Sequence, residues 1–235
     1  MATMLYCEAT SYGTDCLAPN LHPASYSDGS VVTRDAVVNS NWRTSLPVLT
    51  GSQVRLRELR TSDAPSLFAM LTTEEVTRFI SPPPSTVEGF ERFIAWTLQQ
   101  REAGAYVCYA VTLEGCDTAI GIFQVRQLNA NFDTAEWGFA IGSPFWGTGV
   151  FAESAELVLD FAFNTLGVGR LEARVAVPNG RGKGALHKMG AIQDGLLKKS
   201  LRRNGELLDQ ALYSILHEDW QVSRTAQPAS STMVH

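Results

Sequence analysis

The stretch Ser143-Pro144-Phe145-Trp146-Gly147-Thr148-Gly149-Val150-Phe151-Ala152-Glu153 decides the fold. The residues before it, Thr134 to Ile141, read as a strand, and those after it, Gly149 to Leu166, repeat apolar side chains at helical spacing. The two glycines let the backbone turn its N–H groups towards a ligand without hindrance from Cβ atoms. The helix start adds unpaired donors and a partial positive charge. Strand, glycine turn and helix start together predict a phosphate cradle, although an ordinary tight turn shares this local pattern.

The composition of the whole chain is that of one medium-sized globular domain. The chain has 235 residues, of which 45% are hydrophobic and 18% charged, and its net charge of −5 argues against nucleic acid as the main ligand. It contains neither a secretory signal pattern nor an apolar run long enough for a membrane span. The four cysteines lack metal spacing, and their low density predicts a reducing, cytoplasmic location. A disulfide between Cys7 and Cys16 is the alternative that the pattern leaves open.

The chain divides into three parts by composition and periodicity. Residues 1–45 are rich in Ser, Thr, Asn and Gly, which predicts an irregular N-terminal extension. Residues 46–220 carry the periodic segments and predict a single domain. Residues 221–235 lack such a pattern and predict a flexible tail.

Within the domain the periodicities predict the order β-α-α-β-β-β-α-β-α-β-β. An antiparallel meander leads into the glycine turn, and the strand at Arg170–Val177, reached through a helix, is predicted to run parallel to Thr134–Ile141. Asn204-Gly205 predicts the turn of a final hairpin. The sequence therefore predicts an α/β fold with a mixed, mostly antiparallel seven-stranded sheet flanked by helices.

Several motifs in this order carry a family resemblance. They include Leu56-Arg57-Glu58-Leu59, Glu136-Trp137-Gly138-Phe139, the stretch from Phe145 to Ser154, Lys188-Met189-Gly190, and Gly205 with Asp209. With this element order they resemble the GCN5-related N-acetyltransferase (GNAT) superfamily, and most closely its Rim-type branch of ribosomal-protein-alanine N-acetyltransferases. The likeness covers about Leu46 to Trp220.

The chain departs from the family pattern in the short helix that follows Asn179. Gly182, His187 and Ala191 stand where the family usually has serine, glutamate and an aromatic residue. Leu186 stands at the position of a tyrosine that protonates the leaving thiolate in many members. The resemblance therefore does not supply the usual general acid.

The resemblance implies acetyl-CoA as cosubstrate and no metal. The turn would hold the pyrophosphate, the strands on either side of the turn would part to admit the pantetheine arm, and a backbone N–H near Ala140 or Ile141 would donate to the thioester carbonyl. Asn179 would bond the pantetheine amides, cap a helix, or do both. The predicted cofactor-binding residues are Phe139, Ala140, Ile141, Trp146, Gly147, Thr148, Gly149, Val150, Phe151 and Asn179.

Two residues are predicted to act in catalysis. Glu136, on the strand before the cradle, is the candidate general base, directly or through a water, because a carboxylate at a sheet centre suits proton abstraction near neutral pH. The alternative for Glu136 is an exposed or salt-bridged strand carboxylate. Ser143 is a candidate acid by nearness in sequence only. His187 reads as a surface helix residue, and the thiolate can also leave without a protein acid.

The predicted function is transfer of the acetyl group of acetyl-CoA to a primary amine by direct attack. A protein N-terminal α-amine is the first choice of acceptor, because the likeness is to the Rim-type branch. The alternatives are a small amine, such as an amino acid, polyamine or antibiotic, and a non-catalytic acyl-CoA-binding module. The predicted partners are thus an amine substrate, with no nucleic acid or membrane, and the chain is predicted to be a monomer or a homodimer.

Overall fold

The computed structural model describes residues 42–225. The predicted extension, residues 1–45, lies almost wholly outside this range, as do residues 226–235. Trp42 nevertheless belongs to the folded domain, because its buried ring packs edge-on against Phe132 with the ring centroids 5.7 Å apart. The domain therefore begins before the predicted boundary.

One sheet of eight strands forms the centre of the domain. The strands are Leu49–Thr50 (β1), Val54–Glu58 (β2), Tyr106–Leu113 (β3), Cys116–Gln127 (β4), Thr134–Ile141 (β5), Arg170–Ala176 (β6), Ile192–Arg203 (β7) and Glu206–Leu216 (β8). Their order is β1-β2-β3-β4-β5-β6-β8-β7, and every neighbouring pair is antiparallel apart from the parallel β5 and β6. The predicted sheet type is confirmed. The strand beyond the predicted seven is β1, whose two residues are too few to show a period of two.

Helices flank the sheet. They are Ala64–Leu71 (α1), Glu74–Thr77 (α2), Val87–Glu102 (α3), Val150–Asn164 (α4), Gly180–Lys188 (α5) and His217–Thr225 (α6). The sequence did not predict α2 or α6, and α6 occupies the first part of the predicted tail. Its Trp220 is buried with its ring 5.2 Å from that of Phe163. Among residues 42–225 no helix is long and apolar enough to cross a bilayer.

Aromatic side chains join β4, β5 and α4 beneath the predicted cradle. Side chains alternate between the faces of a strand, so Trp137, Phe139 and Ile141 lie on one face of β5. Phe139 packs against Phe151 of α4 with ring centroids 4.6 Å apart, and Phe123 of β4 contacts both rings. These buried contacts hold the start of α4 over the end of β5.

A buried ion pair fixes the connection between β2 and α1. The guanidinium of Arg57 meets the carboxylate of Asp63 at 2.7 and 2.8 Å, and both side chains are almost fully buried. Asp117 supplies a second, more exposed carboxylate to the same guanidinium. The hydrogen bond with Asp63 is the main cause that raises the pKa of Arg57 above its usual value, and it outweighs the opposing effect of burial.

The two parallel strands part after a short paired segment. Thr134–Glu136 of β5 pairs with Arg170–Glu172 of β6, and the described residues contain no further β5–β6 partners. Beyond this point β5 stays with β4 as far as Ile141, and β6 stays with β8 as far as Ala176. The predicted separation of these strands is confirmed, and the gap between them opens towards the cradle.

Candidate active site

Six consecutive backbone N–H groups lack a protein acceptor in the described part of the chain, from Gly147 to Ala152. The first helical hydrogen bond of α4 runs from the N–H of Glu153 to the carbonyl of Gly149. The preceding donors are therefore the unpaired N–H groups that every helix start presents, extended by the turn. Together with the partial positive charge of the α4 N-terminus, they have the properties that bind phosphate.

Glycine is required at both ends of this turn. Gly147 has φ of 80° and Gly149 has φ of 92°, which is the left-handed region that side chains disfavour. A Cβ atom on Gly147 would meet nothing within 4 Å, whereas a Cβ atom on Gly149 would lie 2.8 Å from the Nε2 atom of Gln53. The turn at Gly149 is thus closed on one side by the segment between β1 and β2.

Glu153 joins that segment to the cradle helix. Its carboxylate accepts hydrogen bonds from the backbone N–H groups of Ser52 and Gln53. Burial opposes ionisation of this carboxylate, but the hydrogen bonds outweigh burial and lower its pKa. The partners are 100 and 101 residues apart in the chain, so no local pattern in the sequence could have shown the contact.

A cavity of about 530 Å³ opens beside the turn, between α4 and α5. Its floor is apolar and comes from β5 and α4, while α5 provides the opposite wall and two cationic side chains. Its lining residues are Phe139, Ile141, Trp146, Gly147, Gly149, Phe151, Ala152, Arg181, Gly182, Gly184, Ala185 and Lys188. Of the predicted cofactor-binding residues, this first cavity brings together Phe139, Ile141, Trp146, Gly147, Gly149 and Phe151.

Hydrogen bonding along β5 distinguishes the two predicted donors to the thioester. The N–H of Gly142 donates to the carbonyl of Ile120 in β4 at 2.9 Å. In an antiparallel ladder Ala140, two residues earlier, also directs its N–H towards β4, whereas Ile141 directs its N–H away from β4 and into the gap. Ala140 is therefore not available as the donor, and Ile141 is the residue whose N–H faces the gap.

Trp146 stands in this gap. Its indole N–H donates to the carbonyl of Ile141 at 2.8 Å. The guanidinium of Arg181 lies over its ring, with 3.9 Å between Cζ and the ring centroid. Trp146 and Arg181 together form a wall at the mouth of the gap.

Asn179 begins α5 as the sequence predicted. Its side-chain oxygen accepts a hydrogen bond from the N–H of Gly182 at 2.9 Å, which is an N-cap interaction. The side chain is buried, and the residue lines a second cavity rather than the first. The helix-cap role is confirmed, and the pantetheine contact stays a prediction.

Glu136 is buried and ion-paired. Its carboxylate lies 2.5 Å from Nη2 of Arg126 and 3.8 Å from Nε of Arg174. Phe139 is three positions further along the strand, so the two side chains lie on opposite faces of β5. The arrangement matches the salt-bridged carboxylate that the sequence left open as an alternative, and the role of general base stays a prediction.

The candidate acids lie outside both cavities. Ser143 begins a short 3₁₀ turn before the cradle and lines neither cavity. His187 is exposed on α5, with its Nε2 atom 3.5 Å from the hydroxyl oxygen of Tyr213. Leu186, at the position of the family tyrosine, is fully buried. The structure therefore brings none of these three residues to the cleft, and a protein acid for the thiolate stays unassigned.

The second cavity, of about 320 Å³, lies on the other side of Trp146 and Arg181. It is lined by Glu75, Val76, Arg78, Phe79, Trp146, Asn179, Gly180 and Arg181. Its α2 residues were missed from the sequence because four residues are too few for a helical period, and nothing local indicates that they face α5.

The residues of the first cavity fit acetyl-CoA. The unpaired N–H groups suit its pyrophosphate, Lys188 and Arg181 suit its negative charge, and Phe139 and Ile141 give an apolar floor for the pantetheine arm. Within residues 42–225, no three His, Cys, Asp or Glu side chains form a group that could hold a metal ion.

The fold and the cleft are those expected of a protein that binds a long, phosphorylated acyl carrier between parted strands. The family model of the acetyltransferase (GNAT) domain matches residues 53–192. The chain therefore belongs to the GNAT acetyltransferase family and is an acyltransferase enzyme, as the resemblance predicted.

Individual proteins that are similar to this chain in sequence or in fold are also acetyltransferases by name. The uncharacterized N-acetyltransferase YoaA of Bacillus subtilis (strain 168) is 27% identical over 175 residues, covering 72% of this chain and 97% of the relative. Among solved structures, Mycobacterium smegmatis RimJ in complex with CoA-disulfide has a TM-score of 0.64 at 21% identity, covering 71% of this chain and 83% of RimJ. The ribosomal-protein-S5-alanine acetyltransferase of Vibrio fischeri has a TM-score of 0.64 at 18% identity, covering 74% and 98%. These two structures are similar in fold.

Proposed function

We propose that the chain transfers the acetyl group of acetyl-CoA to a primary amine by direct attack. This proposal rests on one observation: the unpaired N–H groups of residues 147–152 and the gap between β5 and β6 occur together in one site. One end of this site suits a pyrophosphate, and the other places a backbone donor of Ile141 inside the gap.

Acetyl-CoA would supply the activated acetyl group. The N–H of Ile141 would donate to the carbonyl oxygen on which negative charge develops during attack, and a backbone donor fixed in a sheet needs little reorganisation for this task. The cradle would hold the phosphates and so fix the position of the thioester relative to that donor.

Glu136 would accept the proton of the attacking amine, directly or through a water. Its side chain lies on the face of β5 opposite to the first cavity and lines neither cavity, so under this proposal the attacking amine approaches from that face. Arg126 and Arg174 would hold the carboxylate in one orientation. The thiolate would leave without a protein acid, because neither Ser143 nor His187 lines the cleft.

A protein N-terminal α-amine is the proposed acceptor. The fold shared with RimJ and with the Vibrio fischeri ribosomal-protein-S5-alanine acetyltransferase supports it. An amino acid, a polyamine and an antibiotic are the small acceptors that the test must include, because the family alone does not choose among amines.

We also propose a cytoplasmic location. Cys108 and Cys116 are free thiols, which is the usual state in a reducing compartment. The Cys7–Cys16 pair that the sequence left open lies outside the described residues.

A thiol-release assay with acetyl-CoA tests the proposed function. The amine panel contains Ala- and Ser-starting peptides, free amino acids, spermidine and an aminoglycoside. We expect acetyl transfer to the α-amine of at least one peptide. The absence of acceleration with every amine, despite tight binding of coenzyme A, would contradict the proposal.

The Glu136→Gln variant tests the base. We expect turnover to fall by about 10² or more while the dissociation constant of coenzyme A stays unchanged. Glu172→Gln is the matched control. Glu172 lies on β6, is the register partner of Glu136 on β5, and forms an ion pair with Arg170. Equal losses in both variants would assign Glu136 a structural role only.

A further inference from the structure

The second cavity is lined by charged side chains that form no ion pair within residues 42–225. Arg78 and Arg181 line it, and neither forms an ion pair with any residue between 42 and 225. Glu75, one helical turn before Arg78, is likewise without an ion pair in that range. Arg78 lies over the ring of Phe79, with 5.2 Å between Cζ and the centroid, and Arg181 lies over Trp146. Two exposed arginines thus line one cavity, and the guanidinium group of each lies over an aromatic ring.

We propose that the second cavity binds the amine acceptor and selects acceptors that carry a carboxylate close to the amine. This inference rests on the proposed function. Arg78 and Arg181 would bind the carboxylate, because a planar guanidinium matches a carboxylate in both charge and hydrogen-bond geometry.

The position of the cavity supports this assignment. Trp146 and Arg181 line both cavities, so the second cavity begins where the first one ends. Trp146 also contacts Ile141, whose N–H faces the gap. A ligand in the second cavity is therefore next to the point at which a thioester would be held.

The charges on the cavity distinguish between classes of amine. A zwitterion finds two guanidinium groups for its carboxylate and the Glu75 carboxylate for its ammonium group. A polyamine would meet one carboxylate and two guanidinium groups that carry the same positive charge as its own ammonium groups, and like-charge contacts disfavour binding. The cavity thus favours an acidic acceptor and excludes a polyamine.

The carboxylate can come from a free amino acid or from an acidic side chain near a peptide N-terminus. Alanine compared with alaninamide tests the first source, after correction for the neutral fraction of each amine. The amidated peptides Ala-Glu-Ala and Ala-Gln-Ala test the second source, since they share the same attacking residue. Spermidine tests the excluded class.

Arg78 is the residue to vary, because it lines the second cavity and not the first. In the wild-type protein we expect kcat/KM for the carboxylate member of at least one pair to exceed that of its neutral partner by about tenfold or more, as a charge-assisted hydrogen bond predicts. Arg78→Ala should reduce this preference to about twofold or less and leave the dissociation constant of coenzyme A unchanged. Arg202→Ala, at the far edge of the sheet, is the control that should keep the preference.

A binding measurement complements the kinetics. Isothermal titration of N-acetylated Ala-Glu-Ala into the complex with coenzyme A should show weaker binding for Arg78→Ala than for Arg202→Ala. Equal kcat/KM values for the carboxylate and neutral members of both pairs, or a higher kcat/KM for spermidine, would overturn this inference. Either result would leave the proposed function unaffected. An absence of turnover with every amine would overturn both.

Discussion

The indole N–H of Trp146 donates a 2.8 Å hydrogen bond to the carbonyl of Ile141, at the mouth of the gap between β5 and β6. The carbonyl belongs to the edge of β5 that β6 leaves uncovered, so it would otherwise have no partner in the sheet. The same ring supports Arg181 and separates the two cavities. One side chain therefore completes the hydrogen bonding of β5 and forms the wall between the cofactor cleft and the proposed acceptor cavity.

The first prediction concerns this ring. Trp146→Phe keeps an aromatic face under Arg181 but removes the donor, so the free energy of unfolding should fall by about 1 kcal/mol. Trp146→Ala also removes the wall, and we expect coenzyme A to bind about tenfold more weakly. Denaturant unfolding and isothermal titration measure the two effects. If Trp146→Ala binds coenzyme A as tightly as the wild type, Trp146 is not part of the cofactor site.

The second prediction compares three glycines with left-handed backbones. Gly147→Ala and Gly115→Ala place Cβ in open space, so each should lose about 1–2 kcal/mol of stability from backbone strain alone. Of these two residues only Gly147 lines the cleft, so Gly147→Ala should weaken coenzyme A binding and Gly115→Ala should not. Gly149→Ala should lose a similar amount of stability, because the only close atom its Cβ would meet is the movable amide nitrogen of Gln53. Equal binding by the Gly147 and Gly115 variants would argue against the phosphate cradle.

The third prediction is a pH dependence that arises at Glu153. The hydrogen bonds from Ser52 and Gln53 lower the pKa of this carboxylate in the folded state. Its contribution to stability is therefore fully present above the ordinary pKa of 4.5 and is lost as the pH falls through the lower folded value. The difference in unfolding free energy between wild type and Glu153→Gln should thus be constant near neutrality and shrink in acid.

Glu156→Gln is the control for that measurement, because Glu156 is exposed on the same helix. Glu156→Gln should leave the free energy of unfolding close to the wild-type value. A difference for Glu153→Gln that stays constant down to strongly acidic pH would rule out the ionised carboxylate as the link between α4 and the β1–β2 segment.

The fourth prediction concerns the buried pair of Arg57 and Asp63. Asp63→Asn leaves a buried guanidinium with only the more exposed Asp117, and breaking a buried pair in this way costs about 3–5 kcal/mol. Asp117→Asn should cost clearly less, because the Asp117 side chain is more than half exposed. Thermal or denaturant unfolding of both variants decides the matter. Similar losses would mean that the two carboxylates share the guanidinium equally.

The sequence was sufficient to predict structural features whose residues lie close together in the chain. The glycine turn, the strand before it and the helix after it all lie within one stretch of chain, and the pattern predicted their order correctly. The Asn204-Gly205 hairpin is likewise local, since its two residues adopt the positive φ values of 49° and 81° that the dipeptide favours. At the start of α3, Ser85 and Thr86 both have side chains that can cap a helix, and Thr86 is the one that accepts the hydrogen bond from the N–H of Gly89. Adjacent residues with equal capping ability cannot be distinguished by type alone.

The sequence was insufficient where the structure joins distant segments. The contact between Gln53 and Gly149 and the wall of α2 that faces α5 depend on tertiary packing, which periodicity does not report. The same limit applies to Glu136. Its type and strand position predicted a candidate base at the sheet centre or an exposed or salt-bridged carboxylate, without naming a partner. The arginine partners lie on two other strands, and Arg174 is close only because β6 returns beside β5.

The wall shared by the two cavities has a thermodynamic consequence. Ligands that meet the same two side chains, Trp146 and Arg181, do not bind with independent free energies when each displaces or orders that pair. Linkage then requires reciprocity: the factor by which coenzyme A changes the affinity for an acceptor equals the factor by which that acceptor changes the affinity for coenzyme A. A molecule that joins both ligands would bridge Trp146, and its affinity would combine that factor with the effective concentration set by the covalent link.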